Sequence, residues 1–342
     1  MRVFQGALAP AAPLTRLYLC GLCLCGAALV LSACDGGARS DDRGAARAAE
    51  QARAAELTNA AAKKTPPAEV AKAPAPIPRE AVMPKPWLWT ATVGEKKSTI
   101  FATIKGGVGL SEALGSAGDS ALRAARVVVL ATDVSGVDAA AALERGRLPK
   151  GGSLIKLVTA STATYVAGEL KAFPAAELVR MRPWMLAPVL SNDHLLGLSR
   201  GAPAMEVELR GKVDGARLRY LEKFADELDA YDRVPDACHG RMLDALVADA
   251  DRGFAAMDGF TAAYRSGDEA ALLRALKEDD PAQACATFGR EVWGAPRTTP
   301  WLAPLERELA AGGAFIALDA HALLGPGGLL EVLRGRGVAL SR

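Results

Sequence analysis

Histidine is scarce in this chain, three in 342 residues, and aromatic side chains make up only 5%. A catalytic or metal site built on imidazoles must therefore draw on His194, His239 and His321. Beyond residue 34 no Cys-x-x-Cys or His-x-x-x-His spacing occurs, which removes the common zinc-binding patterns. A surplus of positive charge is lacking as well. The formal charge is +2, and Arg2 and Arg16 account for it, leaving 39 basic against 39 acidic residues from Cys34 onward. That balance argues against a nucleic-acid partner held by phosphate neutralisation. The apolar run from Leu17 to Leu31 has 15 residues, short of the roughly 20 that a bilayer-spanning helix needs. What the chain does have is an apolar half, 23% charged residues and ample length for a sizeable core, the profile of a globular body with low-complexity appendages.

Two arginines followed by a short apolar run have the layout of a secretory signal peptide. The run ends in Leu31-Ser32-Ala33-Cys34, which resembles the bacterial lipobox, whose cysteine becomes the acylated first residue of the mature chain. Residues 1–33 are therefore expected to leave as a signal peptide and Cys34 to be lipidated. The protein is then a membrane-anchored lipoprotein of the cell envelope facing the periplasm, with the membrane as a partner through its acyl chains. Asp35 resembles the inner-membrane retention signal of enteric bacteria, a rule that varies between bacterial groups, so inner and outer membrane both stay open. Cys20, Cys23 and Cys25 depart with the signal, so Cys238 and Cys285 remain. In an oxidising compartment these two are expected to pair, closing about 48 residues for roughly 4 kcal/mol in the chain-entropy model.

Residues 34–85 hold almost no large apolar side chains. An Ala/Arg/Glu-rich part, Asp41 to Lys64, precedes a Pro/Ala-rich part, Pro66 to Pro86, and neither can bury a core, so the segment reads as a tether of roughly 40 Å or more. The folded domain is expected over residues 86–342. It opens with a hairpin, Trp87–Val93 and Ser98–Ile104 around a polar Gly94-Glu95-Lys96-Lys97 turn. A helix from Ser111 to Ala125 follows, with Ser111 as its cap, and then the apolar run Val127–Leu130 reads as a strand buried on both faces. From Thr159 to Leu309 the pattern is mostly helical, with a short strand-like stretch from Arg217 to Leu221. Ala314–Leu318 is another buried strand, and a Gly-rich turn, a short helix and a terminal strand close the chain. The expected fold is α/β, a central mixed sheet built from both ends of the domain with a long helical layer inserted in the middle.

The order of these landmarks resembles the TraB/GumN family, which includes the TIKI metallopeptidases and is similar in fold to the haem-binding ChaN and erythromycin-esterase proteins. The resemblance spans roughly residues 87 to 341. Family members end the opening hairpin in Gly-Thr-Ile-His, end the next strand in Glu-x-Asp, and close with Gly-x-x-His-Leu-x-Gly. Here the matching segments are Ala102-Thr103-Ile104-Lys105, Ala131-Thr132-Asp133 and Leu318-Asp319-Ala320-His321-Ala322-Leu323-Leu324-Gly325. Further matches are Arg182-Pro183-Trp184, Tyr220-Leu221-Glu222, Tyr264-Arg265-Ser266-Gly267-Asp268, and Arg297 with Trp301.

The resemblance implies a divalent metal held by two histidines and a glutamate, and only one of the three is kept. Lys105 stands at the first histidine, Ala131 at the glutamate, and His321 alone remains. A water-activating metal needs about three imidazole or carboxylate ligands. An ammonium has no lone pair, and its charge repels the ion. Two readings of the remnant follow. Either Lys105 takes the electrostatic place of the metal, paired with acids such as Asp133 or Asp319, in a pseudoenzyme; or the site is rebuilt around Lys105, Asp319 and His321 for binding or another reaction. A shifted metal site would use Asp133, Glu206, Asp319 and His321, with His321 the one ligand the family shares. Glu206, Glu222, Arg182 and Arg297 are candidate pocket residues, although Arg182, Arg297 and Glu222 fit a buried ion pair between layers equally well. His194, at an apparent helix end, and His239 read as surface or satisfied polar residues. The functional expectation is a binding protein or one with an altered role, with no cofactor. The alternatives are an active metal-dependent peptidase-like hydrolase, or a scaffold that binds another envelope protein through the helical layer.

Overall fold

The computed structural model describes residues 83–278 and 284–342; the signal peptide, Cys34 and nearly all of the tether lie outside them. In chain order the elements are β1 (Leu88–Val93), β2 (Lys96–Thr103), α1 (Leu110–Ala124), β3 (Val127–Asp133), α2 (Ala139–Arg145), α3 (Ala160–Glu169), α4 (Ala175–Arg180), α5 (Pro183–Leu198), α6 (Met205–Lys212) and β4 (Leu218–Lys223). Then come α7 (Phe224–Asp232), α8 (Asp236–Ala250), α9 (Ala255–Ser266), α10 (Glu269–Glu278), α11 (Ala286–Phe288), a π-helical turn over Gly289–Trp293, α12 (Ala295–Thr298) and α13 (Leu302–Ala311). The chain ends with β5 (Ala314–Asp319), α14 (Ala320–Leu323), α15 (Leu329–Gly335) and β6 (Ala339–Ser341). The fold is α/β as expected, with a six-stranded mixed sheet of order β4-β3-β5-β2-β1-β6. Among the described residues no helix is long and apolar enough to cross a membrane.

The pattern of the strands dictates the sheet. Val127–Leu130 and Ala314–Leu318 are buried along their whole length, because β3 and β5 lie in the parallel interior where both faces are covered. β1 and β2 form the antiparallel hairpin, tighter than the sequence suggests: Val93 pairs with Lys96, so the turn is Gly94-Glu95, with Gly94 at φ +58°. Ser111 does not cap α1. The N-cap is Gly109, and the Glu208 carboxylate at the start of α6 accepts from the Leu110 N–H at 3.1 Å, so a distant acid satisfies the helix end that a local hydroxyl was expected to cap.

Two parallel pairings align the sites of interest. Thr103 of β2 pairs with Asp319 of β5, and Thr132 of β3 with Glu222 of β4. The carboxyl ends of the four mutually parallel strands, β4, β3, β5 and β2, therefore finish on one edge, where open α/β sheets bind their ligands. The helical insert between β3 and β5 covers that edge. At the outer side, Trp87 is fully buried and its indole N–H donates to the Tyr264 carbonyl at 2.8 Å, while the Tyr264 hydroxyl donates to the Ala102 carbonyl at 2.6 Å. This pins α9 to the start of the domain, and Met83 joins the same core.

Cys238 of α8 and Cys285, the N-cap of α11, form the expected disulfide, with Cα atoms 5.4 Å apart. It ties α8 to the short segment carrying Phe288 and Trp293 in a second core that also holds Trp184, Phe224 and Tyr231. Replacing Cys285 with Ala should lower the melting temperature by about 10 °C, from roughly 4 kcal/mol of loop closure in a domain of this size. Calorimetry of both forms, with and without reductant, checks it: reductant should lower the parent and leave the variant unchanged.

Candidate functional site

One cavity of about 250 Å3 lies over the carboxyl edge of the sheet. Its floor is Ile104, Lys105 and Gly106 beyond β2, with Asp319 at the end of β5 and His321 in α14. Its walls are helix stripes at three- and four-residue spacing, the rows that share one helical face. From α5 come Trp184, Ala187, Pro188, Ser191 and Leu195; from α8, His239, Met242 and Leu246; from α9, Met257, Phe260 and Thr261. Tyr231 of α7, Phe288 and Trp293 complete the lining. Gly107 lets the helices close on the floor. Its φ is +83°, and a Cβ there would stand 2.7 Å from the Thr261 hydroxyl oxygen, so a side chain at that position is both strained and blocked.

Asp319 organises the polar floor. Its Oδ1 accepts from the His321 backbone N–H at 2.9 Å and contacts His321 Nδ1 at 2.7 Å. The imidazole is clamped flat between Trp293, with centroids 3.8 Å apart, and Phe260 at 5.6 Å. Burial alone would raise the Asp319 carboxyl, yet His321 and Lys105 hold it below its ordinary value. Glu206 is the opposite case: burial and the neighbouring Asp319 raise it, against the pull of Lys105 and Arg210, and its Oε1 accepts from the Thr103 hydroxyl at 3.2 Å. Glu227, 2% exposed, would be raised by burial but is held low by Arg297 and Lys105. The Tyr231 phenol is raised by its burial, while a hydrogen bond and the charge of Lys105 act to lower it. Lys105 is thus the cation that Asp319, Glu206, Glu227 and Tyr231 share.

Beneath the floor lies a second, fully enclosed ionic cluster. The Arg297 guanidinium bonds to Glu222, reaches Glu227 at 3.3 Å and donates to the Val292 carbonyl at 3.1 Å. Glu222 also accepts from the Thr132 hydroxyl at 2.8 Å and the Trp301 indole N–H at 3.0 Å. Here the ion-pair alternative describes Arg297 and Glu222: they join β4 to the α12 segment and are not among the cavity's lining residues. Arg182 is likewise outside the lining, bonded to Asp232 at 2.9 Å. Asp133 and Glu206 take no part in the lining either; the Asp133 carboxylate accepts from the Ser135 N–H at 2.8 Å and shapes the turn after β3, while Glu206 lies near Asp319 and Thr103 without facing the cavity.

Of the other two histidines, His194 is the satisfied polar residue expected, though placed differently, and His239 departs from its reading. His194 sits inside α5, not at its end, bonded to Asp258 at 2.8 Å and stacked on Phe254. His239 is 1% exposed and lines the cavity, with Nε2 at 3.2 Å from the Tyr231 carbonyl and no partner for Nδ1 among the described residues. Burial pushes its pKa down to about 4, so the ring is neutral. Sequence reasoning missed His239, Tyr231 and the aromatic walls; the stripe Trp184, Ala187, Pro188, Ser191, Leu195 carried the available signal. Among the described residues no three His, Cys, Asp or Glu side chains are grouped so as to hold a metal ion. The donor chemistry disfavours one on the floor, since the ammonium of Lys105 stands where the acids converge.

With this geometry in place, comparison with known proteins gives one match: the profile of the TraB/PrgY/gumN family covers residues 87–342. No curated protein and no solved structure matches the chain.

The buried charges set a testable pH response. The low Glu227 and Asp319 contribute stability that is present above the ordinary carboxylate range and is lost as pH falls through their depressed values; the raised Glu206 acts in the opposite sense as pH rises. Replacing Arg297 with Met leaves Glu222 and Glu227 enclosed without the guanidinium they share. Denaturant unfolding should show a loss of about 3–5 kcal/mol at pH 7, and a shallower further loss on acidification than the parent shows.

Proposed function

The chain belongs to the TraB/PrgY/gumN family, and from that premise we propose that it is a lipid-anchored, periplasm-facing binding protein in which Lys105 replaces the metal its relatives hold. The observation that carries this reading is Lys105, which lines the floor of a mostly apolar cavity beside Asp319 and interacts with the buried carboxyls of Glu206 and Glu227 outside the lining. A cation supplied by the chain itself balances the acids that a divalent ion would balance, and it offers no open coordination position for water. What remains is a mostly apolar cavity with a few convergent polar groups, the general form of a small-molecule site. Its walls come from elements joined by a disulfide, which accords with an oxidising compartment. The lipobox-like Leu31-Ser32-Ala33-Cys34 supports the anchor, with the Pro-rich segment behind it as the tether.

Metal content and membrane partition test the two halves together. Purified without chelator, the full chain should carry no stoichiometric divalent metal, and a Lys105→His variant should begin to retain it. Metal in the parent that disappears in His321→Ala would restore the metal-dependent hydrolase reading instead. In cells, the parent should fractionate with membranes and be released by detergent, whereas Cys34→Ser should lose acylation in mass spectra; an unacylated parent would remove the anchor.

A further inference from the structure

The walls of the cavity say what it holds. Aromatic residues make up 5% of the chain but five of the twenty lining residues: Trp184, Tyr231, Phe260, Phe288 and Trp293. They arrive from α5, α7, α9 and the contiguous α11 and π-helical turn, segments spread from residue 184 to residue 293 that meet here. His321 already lies flat between Trp293 and Phe260, so the site is shaped to stack planar rings. Met242 and Met257 add polarizable thioethers, which suit aromatic edges and adjust to the outline of a guest.

Size and charge narrow the guest further. An apolar cavity of roughly 150 Å3 accepts benzene, so one of about 250 Å3 matches a two-ring system. A carboxylate entering the cavity meets Asp319 on the floor, and the one lining lysine, Lys105, is already shared by Asp319 with Glu206 and Glu227 behind it. A cation meets the Lys105 ammonium. Either would also shed its hydration against apolar walls. A neutral ring escapes both costs, and one hydroxyl or ring N–H on it could bond to the polar floor.

Resting on the binding reading above, we propose that the cavity is a site for an uncharged, roughly bicyclic aromatic small molecule bearing one hydrogen-bonding group. Calorimetric titration of the full chain in detergent micelles, with micelles alone as the blank, tests it using 2-naphthylmethanol, 2-naphthoate, 2-naphthylmethylammonium and 1-octanol. The neutral naphthyl alcohol should bind at least about tenfold more tightly than each of the other three. Ala187→Phe, which fills the cavity from α5, should weaken it by a similar factor while the melting temperature holds; if that variant is destabilised, Met257→Trp fills the space from α9. Octanol binding as tightly would overturn the aromatic assignment, and a charged naphthyl compound binding as tightly would overturn the uncharged one; either result leaves a binding cavity. Heat from none of the four would overturn both, as would undiminished binding in a folded cavity-filled variant.

Discussion

A single lysine ammonium among converging acids is the constraint on which the site depends. The parallel pairing of β2 with β5 and of β3 with β4 brings the carboxyl ends of four strands to one edge, and each end delivers polar or acidic side chains there. Such a cluster cannot be enclosed without a compensating positive charge. Arg297 supplies it in the lower layer and Lys105 in the upper one. The depressed carboxyls of Asp319 and Glu227 and the elevated one of Glu206 record how unevenly that compensation is shared.

The rest of the architecture serves the space above this floor. The helical insert contributes stripes from α5, α8 and α9, Gly107 lets them approach, and the Cys238–Cys285 disulfide fixes the segment that carries Phe288 and Trp293. The polar floor and the aromatic walls thus belong to different layers of the fold, one set by strand register and the other by helix packing. Chemistry confined to the floor would need little from the walls; a binding site needs both.

Much of the fold was legible in the sequence because strand signals are local. Val127–Leu130 and Ala314–Leu318 read as doubly buried strands, and the hairpin from Trp87 to Ile104 was visible from alternation and its Gly-containing turn. The family landmarks placed Lys105, Asp319 and His321 as candidates, and the structure gathers those three at the cavity. Long-range pairing is what the sequence concealed. Glu208 caps α1 across about a hundred residues, which no local hydroxyl rule anticipates. Arg297 and Glu222 match family positions as readily as the floor residues do, and only their mutual burial shows that they hold layers together. His239 looked ordinary beside a cysteine because the helix face that buries it is fixed by α5 and α7, far away in sequence.

The central claim is that Lys105 is a fixed cation and neither a base nor a bystander to a bound metal. Side-chain nitrogen NMR of lysine-labelled protein, with the Lys105 resonance assigned by its loss in Lys105→Met, measures this directly. The account predicts an ammonium signal at neutral pH that added zinc leaves unchanged; a neutral amine at pH 7, or a resonance displaced by stoichiometric zinc, would contradict it.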